Sequence, residues 1–433
     1  MVLDAVEIID IMNLHIEKHF FHNCSLKLRF IIVGLIVASA VRAQMSDKTL
    51  RESLDCRVYK TPNVYWEPSK DQGDVKALFY ECLDYNGKPT RAFAYIGFPK
   101  SDTPVPAMVL VHGGGGTAFY EWVKIWNDRG YAAISMSLEG HMPNDEGEGK
   151  LLHEYSGPSR VGRFDDVDLP LEEQWMYHAV SDIMLAHSLL ESFPQVDAHR
   201  IGITGISWGG ILCSLMSGLD TRYKCAIPVY GAGYLYESKG HFGELGNTTA
   251  EFREKKKYWD PSHQFINGSV PTLWVNGDCD AHFSINITSH SFETTSNHAF
   301  MTIHPSMKHG HYPGWSPKDV PEIYAFADHI LKGEPTGLGR IIKQPSGRSM
   351  KLIYESDFPI VEAMVYYLNE KLTYRRKEAD AKHARPEVWQ TISANVNPSV
   401  NEVVAQLPES AHTYYVNLKD SRGYIISSVL VDL

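Results

Sequence analysis

Hydrophobic and polar positions follow different periods in successive parts of this chain. From about residue 57 to 99 the apolar runs are short and strand-like, and Asn86-Gly87 lies between two of them. An Asn-Gly pair between such runs predicts a β-hairpin. From about residue 105 to 333, apolar runs of strand length alternate with stretches of helical period. This alternation predicts a mainly parallel sheet with helices on both faces.

The alternating part contains recognisable strands and helices. In the longest predicted helix, within PLEEQWMYHAVSDIMLAHSLLESF, the residues Met176, Val180 and Ile183 follow the spacing of one helix face. The predicted strands lie in PAMVLVHGGGG, YAAISMSL, RIGITGIS, CAIPVYGAG, PTLWVNGDCD and AFMTIHPSMKHGH. The other predicted helices lie in EWVKIWNDRG, WGGILCSLMSGL and VPEIYAFADHILKG.

The two ends of the chain differ from its middle part in their pattern of apolar and polar residues. After GEPTGLGR (333–340) only short β-type runs follow, and they predict a small β-sandwich over 341–433. Near the N-terminus, Lys27 and Arg29 precede an apolar run that ends in small residues at Ala43. That layout predicts a signal peptide over 1–43 and a catalytic domain over 44–334. We therefore expect a secreted or periplasmic protein with no stable membrane insertion after signal removal; an uncleaved anchor is the alternative.

Charge and cysteine content exclude two classes of function. The net charge is −11, and no dense block of Lys and Arg appears, so binding to nucleic acid is not expected. The six cysteines show no CxxC spacing, so the sequence indicates no zinc site. We expect no metal and no cofactor.

The stretch RIGITGISWGG places Ser207 between a predicted strand and a predicted helix. It matches G-x-S-x-G, in which a tight turn lifts a nucleophilic serine above the sheet edge and glycines allow the close approach of the chain. A structural turn whose serine caps the helix is the alternative.

A serine nucleophile needs a base, and the base needs an orienting acid. Later strand ends supply Asp278 and Asp280 as acids. The histidines at the next strand end are His304, His309 and His311. Upstream, VHGGGG (111–116) ends a strand with glycines that free backbone N–H groups for an oxyanion hole, beside the amide of Trp208. A phosphate-binding loop is disfavoured because no G-K-[ST] follows.

These motifs together resemble the α/β-hydrolase superfamily, and most closely its acetylxylan esterase and dienelactone hydrolase branch, which is related to prolyl oligopeptidases. The resemblance covers roughly 75–333 and is carried by LVHGGGGTAFYEW, HRIGITGISWGG, TLWVNGDCDAHF and SMKHGHYPGW. It implies an α/β-hydrolase fold with a doubly wound sheet. It also implies a triad of Ser207, Asp280 and His309, with amides of Trp208 and Gly114 as the oxyanion hole. Asp278 and His311 remain alternatives for the acid and the base.

The expected function is a secreted serine carboxylic-ester hydrolase acting through an acyl-serine. Its expected substrate is a small-molecule or polysaccharide ester, with deacetylation of a carbohydrate favoured by the resemblance. One alternative is a serine peptidase of the prolyl oligopeptidase type, although the roughly sixty mature residues before HGGGG are too few for the propeller usual there. Another is a non-catalytic binding or adhesion protein.

The stretch 140–169 is expected to form an irregular lid. Four aromatic residues are expected to form either core or a sugar-stacking wall: Trp175, Tyr177, Trp208 and Trp315.

Overall fold

The computed structural model describes residues 50–144, 149–266, 268–295, 298–310, 320–335, 337–373 and 388–433. The predicted signal peptide lies outside these residues. The chain divides into two compact units, Met1–Asp55 and Cys56–Leu433. All of the named strands and helices belong to the second unit.

The main sheet has nine strands in the order β1-β2-β3-β5-β4-β8-β9-β10-β11. Strands β1 to β3 pair antiparallel and β3 pairs antiparallel with β5, whereas β5, β4, β8, β9, β10 and β11 pair parallel in series. The strands are β1 (Val64–Trp66), β2 (Lys76–Glu81), β3 (Arg91–Gly97), β4 (Val105–Val111), β5 (Ala132–Met136), β8 (Val196–Ile206), β9 (Cys225–Val229), β10 (Thr272–Cys279) and β11 (Ala299–Lys308).

Helices follow most of the parallel strands, as the pattern predicted. They are α1 (Tyr120–Asn127), α2 (Trp175–Glu191), α3 (Trp208–Leu219), α4 (Ala250–Lys256), α5 (Ser262–Phe265), α6 (Ile285–Thr294) and α7 (Pro321–Ala327). All seven residues of β4 are buried, as expected for a central strand covered on both faces. Among the described helices, none is both long and apolar enough to cross a membrane.

The predicted hairpin between β2 and β3 is confirmed. The two strands pair from Lys76 opposite Ile96 to Glu81 opposite Arg91. Both turn residues take positive φ, 51° at Asn86 and 70° at Gly87. A two-residue turn of this hand matches the twist of the strands and requires residues that tolerate left-handed backbone, which explains the Asn-Gly pair.

The stretch after β5 is more regular than the expected lid. It contains a small antiparallel hairpin of β6 (His141–Pro143) and β7 (Lys150–Leu152), in which Met142 pairs with Leu151. The residues between the two strands at 145–148 lie outside the described part. The hairpin follows directly from a strand of the main sheet, so it stands at the edge where the carboxyl ends of the parallel strands meet.

The C-terminal strands are antiparallel and form sheets separate from the main one. One sheet has the order β12-β13-β17-β16, and the other has the order β15-β14-β18-β19 with β20 also paired to β18. These strands are β12 (Arg340–Lys343), β13 (Ser349–Glu355), β14 (Ile360–Leu368), β15 (Gln390–Ser393), β16 (Asn395–Asn397), β17 (Glu402–Gln406), β18 (Thr413–Asp420), β19 (Ile425–Ser427) and β20 (Val431–Asp432).

Candidate active site

Ser207 occupies the turn between β8 and α3. Its backbone has φ 55° and ψ −117°, a strained conformation for a residue with a side chain. Two glycines make this turn possible. A β-carbon at Gly205 would lie 2.3 Å from the carbonyl oxygen of Gly209, and one at Gly209 would lie 2.2 Å from that of Val111. The spacing of the motif is therefore a steric requirement of the turn.

The structure brings Ser207 together with a histidine and an aspartate from two later strand ends. The Oγ of Ser207 lies 2.9 Å from Nε2 of His309. The Nδ1 of the same ring lies 2.7 Å from Oδ2 of Asp280. A carboxylate accepts the proton of Nδ1, so Nε2 is left as the acceptor of the serine proton.

Asp280 is fixed by backbone groups of its own turn. Its second oxygen, Oδ1, accepts hydrogen bonds of 2.7 Å from the amides of His282 and Phe283. The side chain is only 1% exposed. The carboxylate therefore cannot turn away from His309 without losing two charge-assisted hydrogen bonds.

Asp278 faces another direction and does not contact the histidine. Its Oδ1 accepts a 2.6 Å hydrogen bond from the amide of Ser306, and its Oδ2 accepts a 3.0 Å bond from Tyr415 Oη. Burial raises the pKa of this carboxyl above its usual value. The alternative histidine, His311, lies outside the described residues.

The ring of His309 is packed between aromatic side chains. The ring of Tyr230 lies 4.6 Å from it and that of Phe283 5.7 Å, between centroids. The Oη of Tyr230 also donates a 2.7 Å hydrogen bond to the carbonyl oxygen of Gly310, next to the histidine. These contacts hold the imidazole in position for Ser207.

Two other histidines, His304 and His178, have structural contacts. The Nε2 of His304 lies 3.1 Å from Oε2 of the buried Glu322. The ring of His178 is buried, and its Nε2 lies 2.9 Å from the carbonyl oxygen of Glu172. Neither of these contacts involves Ser207 or Asp280.

The two residues predicted to supply the oxyanion donors, Trp208 and Gly114, lie next to each other. Trp208 is the first residue of α3, where backbone N–H groups have no partner within the helix. A β-carbon at Gly114 would lie 2.5 Å from Cδ1 of Trp208, so the glycine allows the loop to reach the helix. The amide of Gly115 donates to Glu139 Oε1 at 2.8 Å, and that of Gly116 to the Gly113 carbonyl at 3.0 Å. The Gly114 amide is therefore the one expected to serve the oxyanion.

Sequence reasoning missed Glu139, Lys150 and Tyr230. Glu139 holds the glycine loop through the Gly115 amide, and Lys150 Nζ donates to the Gly115 carbonyl at 2.5 Å. Glu139 and Tyr230 come shortly after the ends of β5 and β9. In this kind of sheet, functional side chains lie at the carboxyl ends of the strands. The same rule that located the candidate acid and base would therefore have indicated Glu139 and Tyr230.

The tryptophans proposed as core or sugar platform are core where described. Trp175 and Trp208 pack edge to face at 5.5 Å, with 3% and 7% of their surfaces exposed. Tyr177 is also buried. Trp315 lies outside the described residues.

Comparisons with known proteins agree with this fold. Residues 169–334 match the family model described as the Prolyl oligopeptidase family. An uncharacterized peptidase, YuxL of Bacillus subtilis (strain 168), is 24% identical over 196 residues, which cover 42% of this chain and 27% of that protein. The match thus spans little more than a quarter of the length of that relative.

Two solved structures are similar to this chain. An acetyl xylan esterase from Paenibacillus sp. R4 superposes with a TM-score of 0.51 at 17% identity, covering 66% of this chain and 92% of that one. An acylaminoacyl peptidase from Pyrococcus horikoshii gives a TM-score of 0.46 at 19% identity, covering 62% and 44%. The chain therefore has the α/β-hydrolase fold.

Proposed function

We propose that this protein is a secreted serine carboxylic-ester hydrolase that removes acyl groups, acetyl above all, from a carbohydrate ester. The observation that carries the catalytic part is the hydrogen-bonded series from Ser207 Oγ through His309 to Asp280. The series has the geometry that activates a serine hydroxyl towards a carbonyl carbon.

In the first half of the reaction, Ser207 Oγ attacks the ester carbonyl and its proton passes to His309 Nε2. Asp280 stays ionised and stabilises the imidazolium that forms. The amides of Trp208 and Gly114 donate to the oxyanion of the tetrahedral intermediate. The intermediate then collapses, the bond to the alcohol breaks, and the alcohol leaves with the proton of His309.

In the second half, the acyl-serine is hydrolysed. A water molecule gives a proton to His309 Nε2 and attacks the acyl carbon, and the same amides hold the second oxyanion. Collapse breaks the bond to Ser207 Oγ, which takes the proton back. The carboxylic acid leaves and the enzyme returns to its starting state.

The carbohydrate substrate and the secretion are supported by other observations. The structural match covers 92% of an acetyl xylan esterase, which favours an acetylated saccharide. Secretion rests on the signal-peptide pattern over 1–43. The match to the Prolyl oligopeptidase family favours the second candidate, a serine peptidase with the same triad.

The test is hydrolysis of p-nitrophenyl acetate by the purified protein and by the Ser207→Ala variant. We expect activity that the variant loses by at least about 10³-fold, because nucleophile and base act as one unit. Acetylated xylo-oligosaccharides and a blocked proline-containing peptide amide would then be compared. Faster release of acetate supports the esterase, and faster cleavage of the peptide supports the peptidase.

A protein that is folded by circular dichroism but inactive on all of these substrates would contradict both hydrolase proposals. Activity that survives in Ser207→Ala would contradict the assigned nucleophile. The first of these outcomes would support the non-catalytic binding role.

A further inference from the structure

Arg160 lies in the segment that follows β5, and the protein holds its guanidinium group in a fixed orientation. Its Nε lies 3.4 Å from Oε1 of Glu139, and its Nη1 donates a 2.5 Å hydrogen bond to the carbonyl oxygen of Gly162. Its Cζ lies 4.8 Å from the ring centroid of Trp208. Two hydrogen bonds and a cation–π contact thus fix a side chain that would be mobile on an open surface.

Glu139 connects the Arg160 guanidinium to the glycine loop of residues 111–116, which carries Gly114. The same Oε1 that faces Arg160 also accepts the 2.8 Å hydrogen bond from the amide of Gly115. The Glu139 side chain is 8% exposed. Because one buried carboxylate oxygen holds both groups, the guanidinium and the loop keep a constant separation.

One amino group of Arg160 remains uncommitted beside that loop. Its Nη2 lies 3.1 Å from the position a β-carbon would take at Gly114, and Nε1 of Trp208 lies 3.1 Å from the same position. Among the described residues, none accepts a hydrogen bond from either nitrogen. The Arg160 side chain is 22% exposed, so a molecule in the site can reach it.

Arg160 Nη2 and Trp208 Nε1 are two neighbouring N–H donors, and a ligand group with two acceptor oxygens could bind both. Arginine offers only donors and matches the fork geometry of a carboxylate, and the indole nitrogen of tryptophan also only donates. The overall charge of −11 opposes anionic ligands in general, so a fixed cation beside Gly114 and Trp208 is a local exception.

We propose that Arg160, with the indole N–H of Trp208, forms a carboxylate-binding subsite beside the oxyanion hole. The proposal rests on the proposed function and specifies its substrate class. The ester that this protein hydrolyses carries a carboxylate close to the scissile bond. The carboxylate belongs either to the acid half, as in a dicarboxylic monoester, or to the alcohol half, as in an acetylated uronic acid.

The experiment compares charged and neutral esters of similar size on the full protein. For the acid half, the pair is mono-p-nitrophenyl succinate and p-nitrophenyl butyrate. For the alcohol half, the pair is acetylated methyl galacturonide and acetylated methyl galactoside. In one of the two pairs we expect kcat/KM to be at least about tenfold higher for the charged ester, as a hydrogen bond to a charged group supplies.

The Arg160→Gln variant should lose this preference, because its kcat/KM for the charged ester should fall at least about tenfold further than its kcat/KM for the neutral ester of the same pair. The matched control is Arg163→Gln. Arg163 is a neighbour on the same segment, and its guanidinium is already engaged by Glu244 and by the carbonyl oxygen of His241. The control variant should keep the preference.

Three results would overturn the subsite. They are the absence of a preference in both pairs, an equal loss on charged and neutral esters in Arg160→Gln, and a preference that survives in that variant. Calorimetric binding of succinate and of galacturonate to Ser207→Ala gives a readout that does not depend on turnover. If the protein hydrolyses no ester, the proposed function is wrong. The subsite is then tested by binding alone, and it is wrong as well if neither succinate nor galacturonate binds in an Arg160-dependent manner.

Discussion

Asp278 and Asp280 are two residues apart, yet their carboxylates meet different partners. Asp280 lies 2.7 Å from His309 Nδ1, whereas Asp278 accepts hydrogen bonds from Ser306 and Tyr415. An acid that sets the imidazole tautomer must touch the ring, so the geometry assigns that role to Asp280. The sequence left both open because the spacing within a turn does not show which way a side chain points.

Replacement of each aspartate by asparagine tests this assignment. Asp280→Asn should lower kcat by about 10³–10⁴-fold. The asparagine amide favours the imidazole tautomer in which Nε2 of His309 carries the proton, and a protonated Nε2 cannot accept the proton of Ser207. Asp278→Asn leaves the partner of His309 in place and should lower kcat by no more than about tenfold. Steady-state kinetics on an activated ester, with circular dichroism as the folding control, measure both. The reverse order would make Asp278 the acid.

Among the structural elements, helix α2 carries a buried histidine away from the site. His187 is 1% exposed, and its ring packs edge to face on Tyr223 at 4.8 Å. Burial, and next the charge of Arg222, lower its pKa from 6.5 to about 3. The folded protein therefore keeps this ring neutral at pH values at which the unfolded chain protonates it.

The free energy of unfolding should consequently fall as the pH drops from 6.5 towards about 3, because the unfolded chain binds the extra proton in that window. A single such group contributes about 1.4 kcal/mol per pH unit. His187→Phe keeps a ring against Tyr223 and should flatten this dependence, measured by urea unfolding at pH 5 and pH 8. His199→Gln, at an exposed histidine, is the control. An unchanged slope in His187→Phe would refute the prediction.

The elements of the main sheet were predictable because their signals are local. Strand and helix periods, and chemistry at strand ends, are visible in a few neighbouring residues, and they led to Ser207, His309 and the glycine loop. The contacts of Arg160 with Glu139 and Trp208 were not predictable in this way. They depend on the path of the segment after β5, which has no periodic pattern to fix it.

At the scale of the whole molecule, the C-terminal strands contact β10 and β11, the two strands that lead to Asp280 and His309. Tyr415, on β18, donates to Asp278 at the end of β10, and Trp389 Nε1 donates to the Asp278 carbonyl at 3.1 Å. On β11, the backbone of Ile303 bonds to side chains of the C-terminal strands: its amide donates to Ser427 Oγ at 2.7 Å, and its carbonyl accepts from Asn417 at 2.9 Å.

These contacts were beyond sequence reasoning because Asp278 and Tyr415 are 137 residues apart. A local sequence pattern cannot predict a hydrogen bond between side chains of two different sheets. The structure shows the C-terminal strands as a brace for the turns before Asp280 and His309, in addition to any ligand-binding role they have. Asp278 is the centre of this brace, since it joins β10, the Ser306 amide on β11 and Tyr415 on β18.

Tyr415→Phe removes the hydroxyl of this brace and takes one hydrogen bond from the buried Asp278 carboxyl. We expect the turns of Asp280 and His309 to loosen, so that kcat falls about tenfold while KM stays within about twofold. The free energy of unfolding should also fall by about 1–3 kcal/mol, the cost of a buried polar group that loses its partner.

Tyr414→Phe is the matched control. Tyr414 is the preceding residue of β18, is equally buried, and donates through its Oη to the Gly347 carbonyl at 3.1 Å, away from the site. It should lose stability without losing kcat. Steady-state kinetics and urea unfolding of the two variants separate the roles. If both variants lost stability and neither lost kcat, the C-terminal strands would support the fold alone and would have no part in positioning the triad.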